Sequence, residues 1–294
     1  MKSGIKKTRE DLIFDIISYA VISLLIVACF YPMWYVLCAS LSDPEIVAKS
    51  RGVLFWPQNI NLDAYKRVFA DAEIWTGLKN TVLYTVVGTA LNVSLTAMLA
   101  YALSRKNLML KKPLTMLISF TMFFNGGMIP TYLVMRDLHL LDHRFAVILP
   151  GLVSVFNFVI MRTNFESVPY ALEESAKLDG ANHWTIFTRI FLPVSATTLA
   201  VMTLFYGVSH WNGWMNALLY LPNRRDLLPL ALITREIVLS SASAAMSEGA
   251  ALTQEMADAI KYATIVVSTL PILCLYPFLQ RYFTKGVMVG SVKG

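Results

Sequence analysis

The chain has 294 residues, of which 56% are hydrophobic and 15% are charged, whereas a typical soluble domain carries about 25% charged residues. This composition excludes a water-soluble fold, which could not bury so much apolar surface. The formal net charge of +6 comes from basic residues scattered between apolar runs, so it indicates membrane topology and argues against a nucleic-acid partner.

Six apolar stretches are long enough to cross a bilayer, which takes about 20 mostly apolar residues in a helix. The predicted spans are residues 12–39, 75–103, 114–135, 145–161, 194–215 and 262–282. We therefore predict an all-α, polytopic membrane protein with six transmembrane helices, in which residues 1–294 form a single transmembrane domain.

The first apolar run follows a basic segment and could be taken for a signal peptide. The basic residues are Lys2, Lys6, Lys7 and Arg9. The run is much longer than the apolar core of a signal peptide, so we predict that it is retained as the first span.

The distribution of Lys and Arg predicts that both termini are cytoplasmic. In that orientation the inner segments are residues 1–11, 104–112, 162–192 and 281–294, and the outer segments are residues 40–79, 136–144 and 216–261. The inner segments hold 14 Lys and Arg in 65 residues, and the outer segments hold 11 in 95. The strongest part of this bias is an acid-free cluster formed by Arg105, Lys106, Lys111 and Lys112.

The spans carry few ionisable side chains, which bears on how transport is energised. Asp15 lies near the cytoplasmic end of the first span, and His210 lies deep in the fifth. A single-chain ion-driven transporter usually needs an intramembrane carboxylate or a comparable group. Sodium sites built from carbonyls and hydroxyls leave a stand-alone ion-coupled secondary transporter open as the alternative. The chain has no G-x-x-x-x-G-K-[ST] phosphate loop, so we do not expect it to hydrolyse a nucleotide.

A loop between the fourth and fifth spans, residues 164–193, is patterned as a helix, a turn and a second helix. Ser167 can cap the first helix and Pro169 can start it. Gly180 can adopt the left-handed conformation that ends it. We therefore expect an ordered helical hairpin on the cytoplasmic side.

The second helix of this loop carries an apolar stripe formed by Trp184, Phe187 and Phe191. Periodicity alone leaves two alternatives open for the stripe. It fits a helix lying on lipid headgroups, and it fits a helix packed under its own bundle.

The same loop resembles the EAA loop of ABC importer permeases, written E-A-A-x-x-D-G-A followed by I-x-L-P. The matching positions are Glu174, Ala176, Asp179, Gly180, Ala181, Ile190, Leu192 and Pro193, and Ser175 replaces the first alanine. The resemblance implies a type I ABC importer permease fold in the inner membrane, whose coupling helix docks on an ATP-binding subunit. The implied contact residues are Glu173, Glu174, Ser175, Ala176, Asp179, Gly180 and Ala181.

The resemblance also implies the partners and the absence of catalysis in this chain. The expected partners are a second permease subunit in a heterodimer, two ATP-binding subunits that hold ATP and Mg, and an extracytoplasmic solute-binding protein docked on loops 40–74 and 216–260. We expect no cofactor and no nucleic acid. The glycine-rich tail from Lys285 to Gly294 is implied to reach between the ATP-binding subunits, with a frayed terminus as the alternative.

The whole chain is most similar to carbohydrate-importer permeases of the maltose and oligosaccharide type. The runs Asn125 to Tyr132, Leu140 to Asp142 and Ile148 to Gly151 resemble the subgroup that includes permeases for alginate and other uronate-containing oligosaccharides. Gly126, Gly127 and Pro130 can also loosen a helix in mid-membrane, although glycine pairs more often serve close helix packing.

Polar and aromatic side chains at span depth are the candidate solute contacts, because sugars are held by hydrogen bonds and by stacking on aromatic faces. The candidates are Asn125, Asn157, Tyr206, His210, Trp211 and Asn212. Trp211 and Trp214 are explained equally well as an aromatic belt at a membrane interface.

Overall fold

A computed structural model describes residues 8–50, 52–244 and 251–290, with the side chains of 242–253 and 275–290 outside the description. The described residues are helical without a β-strand, which confirms the all-α prediction. Of the predicted basic N-terminus, Lys2, Lys6 and Lys7 lie outside the described residues. The predicted tail is helical backbone up to Gly290, and its remainder lies outside them.

The chain divides into two compact units, which are described separately: residues 1–70 with 237–267, and residues 71–236 with 268–294. The first unit contains α1 (Arg9–Leu41), α2 (Pro44–Lys49) and α3 (Asp63–Ala70). Helix α1 begins with a capping box, in which Thr8 Oγ1 accepts from the N–H of Asp11 and the Asp11 carboxylate accepts from the N–H of Thr8. The apolar span within α1 is exposed along its length in this chain.

A small core holds the C-terminal end of α1 in the first unit. Cys38 and Ala39 pack against Leu54 of the following loop. The indole N–H of Trp34 donates to the Phe55 carbonyl oxygen at 2.7 Å. These contacts fold residues 52–58 back onto α1.

The second unit is organised around α4 (Ala72–Ser104), which packs against α8 and α12. The other helices are α5 (Lys111–Phe120), α6 (Met128–Asp137), α7 (Phe145–Ile148), α8 (Val155–Ser167), α9 (Tyr170–Leu178), α10 (His183–Ile186), a π-helical segment (Phe187–Phe191), α11 (Leu192–Val194), α12 (Ala196–Trp211) and α13 (Met215–Tyr220). One buried stripe of α4 recurs every three or four residues, as helical periodicity requires, through Gly77, Thr81, Tyr84, Gly88, Asn92 and Thr96. Two further helices, α14 (Leu230–Ala244) and α15 (Ala251–Gly290), complete the chain.

Three helices in the described ranges are long and apolar enough to cross a membrane: Arg9–Leu41, Ala72–Ser104 and Gln254–Cys274. They correspond to the first, second and sixth predicted spans. The pair His183–Val194 and Ala196–Trp211, bent by 83°, would add a fourth in the region of the fifth prediction.

The third and fourth predicted spans, 114–135 and 145–161, are not continuous helices. Helix α5 ends at Phe120 and α6 begins at Met128, across a break that contains Gly127 at φ +90°. Helix α7 ends at Ile148, and Gly151 at φ +82° precedes α8. Glycine supplies backbone conformations that a continuous helix cannot hold, so the break at Gly126 and Gly127 agrees with the predicted loosening.

Candidate functional site

The turn that follows α9 in the helical hairpin has the hydrogen bonds of a Schellman motif. Gly180 has φ +80°, its N–H donates to the Lys177 carbonyl oxygen at 3.0 Å, and the N–H of Ala181 donates to the Ala176 carbonyl oxygen at 2.9 Å. This confirms the predicted left-handed end of the helix. Ser167, in contrast, does not cap α9, because its hydroxyl donates to the Asn164 carbonyl oxygen instead.

The predicted contact residues divide into an exposed tip and a packed base. Glu174, Ser175, Asp179 and Gly180 are exposed, and beside them the Leu178 side chain is 90% exposed. Ala176 and Ala181 are half-buried and pack on the hydrophobic core below the loop. The tip therefore offers a protruding surface of small, acidic and apolar groups.

Glu173 is buried, whereas its neighbour Glu174 on the same helix is exposed. The Glu173 side chain is buried between Arg105 Nη1, at the end of α4, and Lys177 Nζ, which lies 2.7 Å from its carboxylate. Burial alone would raise the pKa of Glu173, but the hydrogen bond from Lys177 and the charge of Arg105 outweigh it and lower the pKa. Glu173 is therefore an ionised residue at the base of the loop, and its predicted contact with a partner stays a prediction.

Aromatic side chains form the base on which the hairpin rests. The ring centroid of Tyr101 on α4 lies 5.1 Å from that of Phe187 and 5.2 Å from that of Phe191. Phe165 of α8 packs edge-on against Phe191 at 5.6 Å. Truncating one such buried ring to alanine typically removes about 3–5 kcal/mol of stability.

This geometry decides between the two alternatives for the apolar stripe. Phe187 and Phe191 are 5% and 1% exposed and pack under the bundle, whereas Trp184 is 59% exposed. The two buried rings are both in the π-helical segment 187–191, and the exposed Trp184 precedes it.

The basic cluster between α4 and α5 contacts the C-terminal end of α8 and helix α9. Arg105 pairs with Glu173, and Lys111 pairs with Glu166 at 2.8 Å. The ammonium of Lys106 lies 4.5 Å from the centre of the Tyr170 ring. Residues 104–112 and 162–192, which the Lys and Arg distribution predicts to be on the same side of the membrane, therefore lie together at the C-terminal end of α4.

The segments predicted to be outside meet at the N-terminal end of α4. Because α4 has 33 residues, its two ends are about 50 Å apart. Arg225 Nη2 lies 2.9 Å from the Glu73 carboxylate, and Asn80 Nδ2 donates to the Asp226 carbonyl oxygen at 2.8 Å. The Asn223 side chain donates to Asp142 at 2.9 Å.

A cavity of about 850 Å³ lies between α4, α8 and α12, within the size range usual for small-molecule sites. Its polar lining residues are Asn92, Ser154, Asn157, Tyr206, Ser209, His210, Asn212 and Asn216. Four of the six predicted solute contacts are among them. The lining is rich in amide and hydroxyl groups, which suit the hydroxyls of a sugar.

Hydrogen bonds between helices hold the walls of this cavity. The Tyr206 hydroxyl accepts from the N–H of Ser154 at 2.9 Å and lies 2.7 Å from Thr96 Oγ1. Asn92 Nδ2 donates to the Gly151 carbonyl oxygen at 3.3 Å, and Asn92 Oδ1 lies 3.4 Å from His210 Nε2. The glycine break between α7 and α8 is thereby tied to α4.

The imidazole of His210 is accommodated by the absence of a side chain on α4. A Cβ built on Gly88 would lie 2.5 Å from His210 Nε2, closer than carbon and nitrogen can approach. Gly88 therefore sets the position of His210 against α4.

Two predicted contacts lie elsewhere. Trp211 is buried, and its indole N–H donates to the Ser268 carbonyl oxygen at 3.2 Å. Asn125 is exposed in the α5–α6 break, where its Oδ1 accepts from the N–H of Gly127 at 2.8 Å. Direct solute contact by any of the six residues stays a prediction.

The prediction omitted four polar lining residues, Asn92, Ser154, Ser209 and Asn216. Asn92 could have been found, because it is an amide in the middle of the second apolar run. Ser154 and Ser209 lie inside predicted spans, where a lone hydroxyl is a weak signal, and Asn216 lies one residue beyond the fifth predicted span. Among the described residues, no group of three His, Cys, Asp or Glu side chains is placed to hold a metal ion.

No family model matches the chain, but proteins of known role do. It is 41% identical over 287 residues, 97% of its length and 100% of the relative's, to the polygalacturonan/rhamnogalacturonan transport system permease protein YtcP of Bacillus subtilis (strain 168). This chain belongs to the permease subunits of carbohydrate ABC importers. The permease is also 28% identical over 269 residues to the arabinooligosaccharides transport system permease protein AraQ of Halalkalibacterium halodurans, covering 90% of this chain and 91% of that one.

A solved structure supports the same assignment for the permease fold. A chain in the crystal structure of a bacterial ABC transporter involved in the import of the acidic polysaccharide alginate matches it with a TM-score of 0.85 and 32% identity, over 94% of this permease and 99% of that chain. The permease is thus a membrane-embedded transport component. The comparisons give no support to the alternative of a stand-alone secondary transporter.

Proposed function

We propose that this permease forms a translocation pathway in the inner membrane with a second permease subunit, and that loop 169–193 couples the pathway to two ATP-binding subunits. The exposed tip of α9 carries the proposal: Glu174, Leu178 and Asp179 protrude from a base fixed to α4 and α8. A protruding helix on a rigid base suits docking in a cleft. The partners bind and hydrolyse ATP with Mg, and a solute-binding protein docks outside.

The topology that we propose has six spans and both termini in the cytoplasm. Support comes from the contacts at the two ends of α4, where segments assigned to the same side meet each other. The broken third and fourth spans serve as spans if their irregular backbone lies against protein or a water-filled path, as the cavity beside Gly151 provides.

The proposed solutes are uronate-containing oligosaccharides. Two similar proteins are named for polygalacturonan or rhamnogalacturonan transport and for alginate import. Among the described residues that line the cavity none is acidic, so the lining does not repel a carboxylate, and His210 can donate to one.

Docking is tested with a photo-activatable amino acid at position 174 in the assembled complex. We expect it to capture an ATP-binding subunit, and failure to capture one would contradict the coupling role. The solute class is tested in proteoliposomes by comparing uptake of oligogalacturonate with that of its carboxyl-reduced, neutral counterpart. Equal uptake of the two would contradict the preference for uronates.

A further inference from the structure

The guanidinium of Arg105 lies where four helical elements meet. Nη1 pairs with Glu173 of α9, and Nη2 donates to Ser104 Oγ at 2.7 Å and to the Phe165 carbonyl oxygen at 3.5 Å. Its central carbon lies 4.1 Å from the centre of the Phe191 ring and 4.8 Å from that of Tyr101. One side chain thus contacts α4, α8, α9 and the π-helical segment.

Apart from the contact of Lys106 with the Tyr170 ring, helix α9 has little other anchorage to the bundle. Glu173 is the one buried residue of this fully described helix, and its side chain is 5% exposed. Leu172 is 44% exposed, and Ala176 offers a single methyl group to the core. The attachment of α9 to α4 therefore depends on a buried ion pair more than on apolar packing.

A buried ion pair is a stiff connection. Separating Glu173 from Arg105 would leave an uncompensated charge in a poorly solvated place, which is strongly unfavourable. Stacking on Phe191 holds the same guanidinium against the second limb of the hairpin. A displacement of the tip must then carry the end of α4 with it.

We propose that Arg105 is the positioning residue through which movement of the coupling loop reaches α4 and the cavity beside it. This inference rests on the proposed docking of the loop on an ATP-binding subunit. Arg105 lies outside the loop and contacts no partner in this proposal. Its role is to keep both limbs of the hairpin fixed to the span that lines the pathway.

The experiment uses the whole complex in proteoliposomes and measures solute uptake and ATP hydrolysis in the same preparation. For Arg105→Gln we expect the solute transported per ATP to fall about fivefold or more, the lower end of coupling between distant sites. Capture of the ATP-binding subunit from position 174 should persist. Arg105→Lys, which keeps the charge but loses the planar fork, should recover part of the ratio.

Arg162→Gln is the matched control. Arg162 is 22% exposed against 14% for Arg105, pairs with Glu166 within α8, and donates to the Leu103 carbonyl oxygen at 3.3 Å. This variant removes a half-buried arginine near the same place whose contacts are with α8 and α4, not with α9 or the π-helical segment. Its ratio should stay near that of the unmodified permease.

A double-mutant cycle separates coupling from general damage. Glu173→Gln should reproduce the defect of Arg105→Gln, and the double variant should be no worse than either single variant, because both remove one interaction. A normal ratio in Arg105→Gln with capture intact would overturn the inference. Should Arg105→Gln fail to assemble, normal ratios in both Arg105→Lys and Glu173→Gln would overturn it. Absence of capture in the unmodified permease would instead overturn the docking proposal on which it rests.

Discussion

Thr96 of α4 and Tyr206 of α12 are buried with their hydroxyl oxygens 2.7 Å apart, beside the polar cavity. The same Tyr206 oxygen accepts the N–H of Ser154 at the start of α8. A single phenol thus connects the three helices that enclose the cavity, which makes it a sensitive point for stability.

Replacing Tyr206 with Phe should lower the free energy of unfolding by about 1–3 kcal/mol, because it leaves the buried Thr96 hydroxyl and the partly buried Ser154 N–H without this partner. Denaturation of the purified permease in detergent measures the change. Tyr19→Phe is the control, since the Tyr19 side chain is 70% exposed on α1. Equal stability of the two variants would show that the shared hydrogen bonds do not hold the helices.

Gly88→Ala should reduce uptake, because the added methyl group would lie 2.5 Å from the His210 ring and must displace it within the cavity. Gly207→Ala is the matched control on the facing helix, where the new Cβ would meet Thr89 Oγ1 at an ordinary 3.7 Å. Both substitutions raise the helix propensity by up to about 1 kcal/mol, so a difference in uptake between the two variants cannot come from helix propensity. Uptake is measured in proteoliposomes. An equal fall in both variants would argue against a role for the position of the His210 ring.

Gly180→Val should uncouple hydrolysis from uptake. A β-branched residue is strained at φ +80° by roughly 1–2 kcal/mol, and nothing lies within 4 Å of the new Cβ, so the strain acts through the backbone turn. Gly180→Asn is the control, because asparagine tolerates the left-handed conformation. Solute-stimulated ATP hydrolysis and uptake are measured together, and a Val variant that matches the Asn variant would contradict the argument.

Glu173 should make stability depend on pH in the acidic range. Its pKa in the folded permease lies below the value of about 4.3 usual for glutamate, so its contribution is present above that value and is lost as pH falls through the folded pKa. Glu173→Gln should therefore lower the melting temperature at pH 7, and the gap from the unmodified permease should shrink below about pH 4. Exposed Glu174→Gln serves as the control. A gap that is the same at both pH values would show that the ion pair contributes nothing.

The sequence predicted the local features of the loop, such as its turn, better than the long-range contacts that hold it. Gly180 signals a left-handed turn by itself, so the end of α9 could be placed without knowing what surrounds it. Arg105 was recognised only as a marker of orientation, because Glu173 lies 68 residues further along the chain and no local pattern connects the two. Long-range pairs of this kind depend on how the helices pack, and the periodicity of a sequence does not predict that packing.

The predicted spans show the same limit. Hydropathy located α1 and α4 closely, since each is one continuous apolar helix. It placed single spans over 114–135 and 145–161, where glycine and proline divide the backbone. Average apolarity over a window does not register a single glycine with positive φ.

Glu173 and Glu174 are neighbours that look interchangeable in the printed sequence. One is enclosed by cationic groups and the other projects into water. Mutating both glutamates together would therefore disturb the base of the loop and the proposed docking surface at once, and a loss of transport could not be assigned to either. Single replacements, made side by side, turn the doublet into an internal comparison supplied by the chain itself.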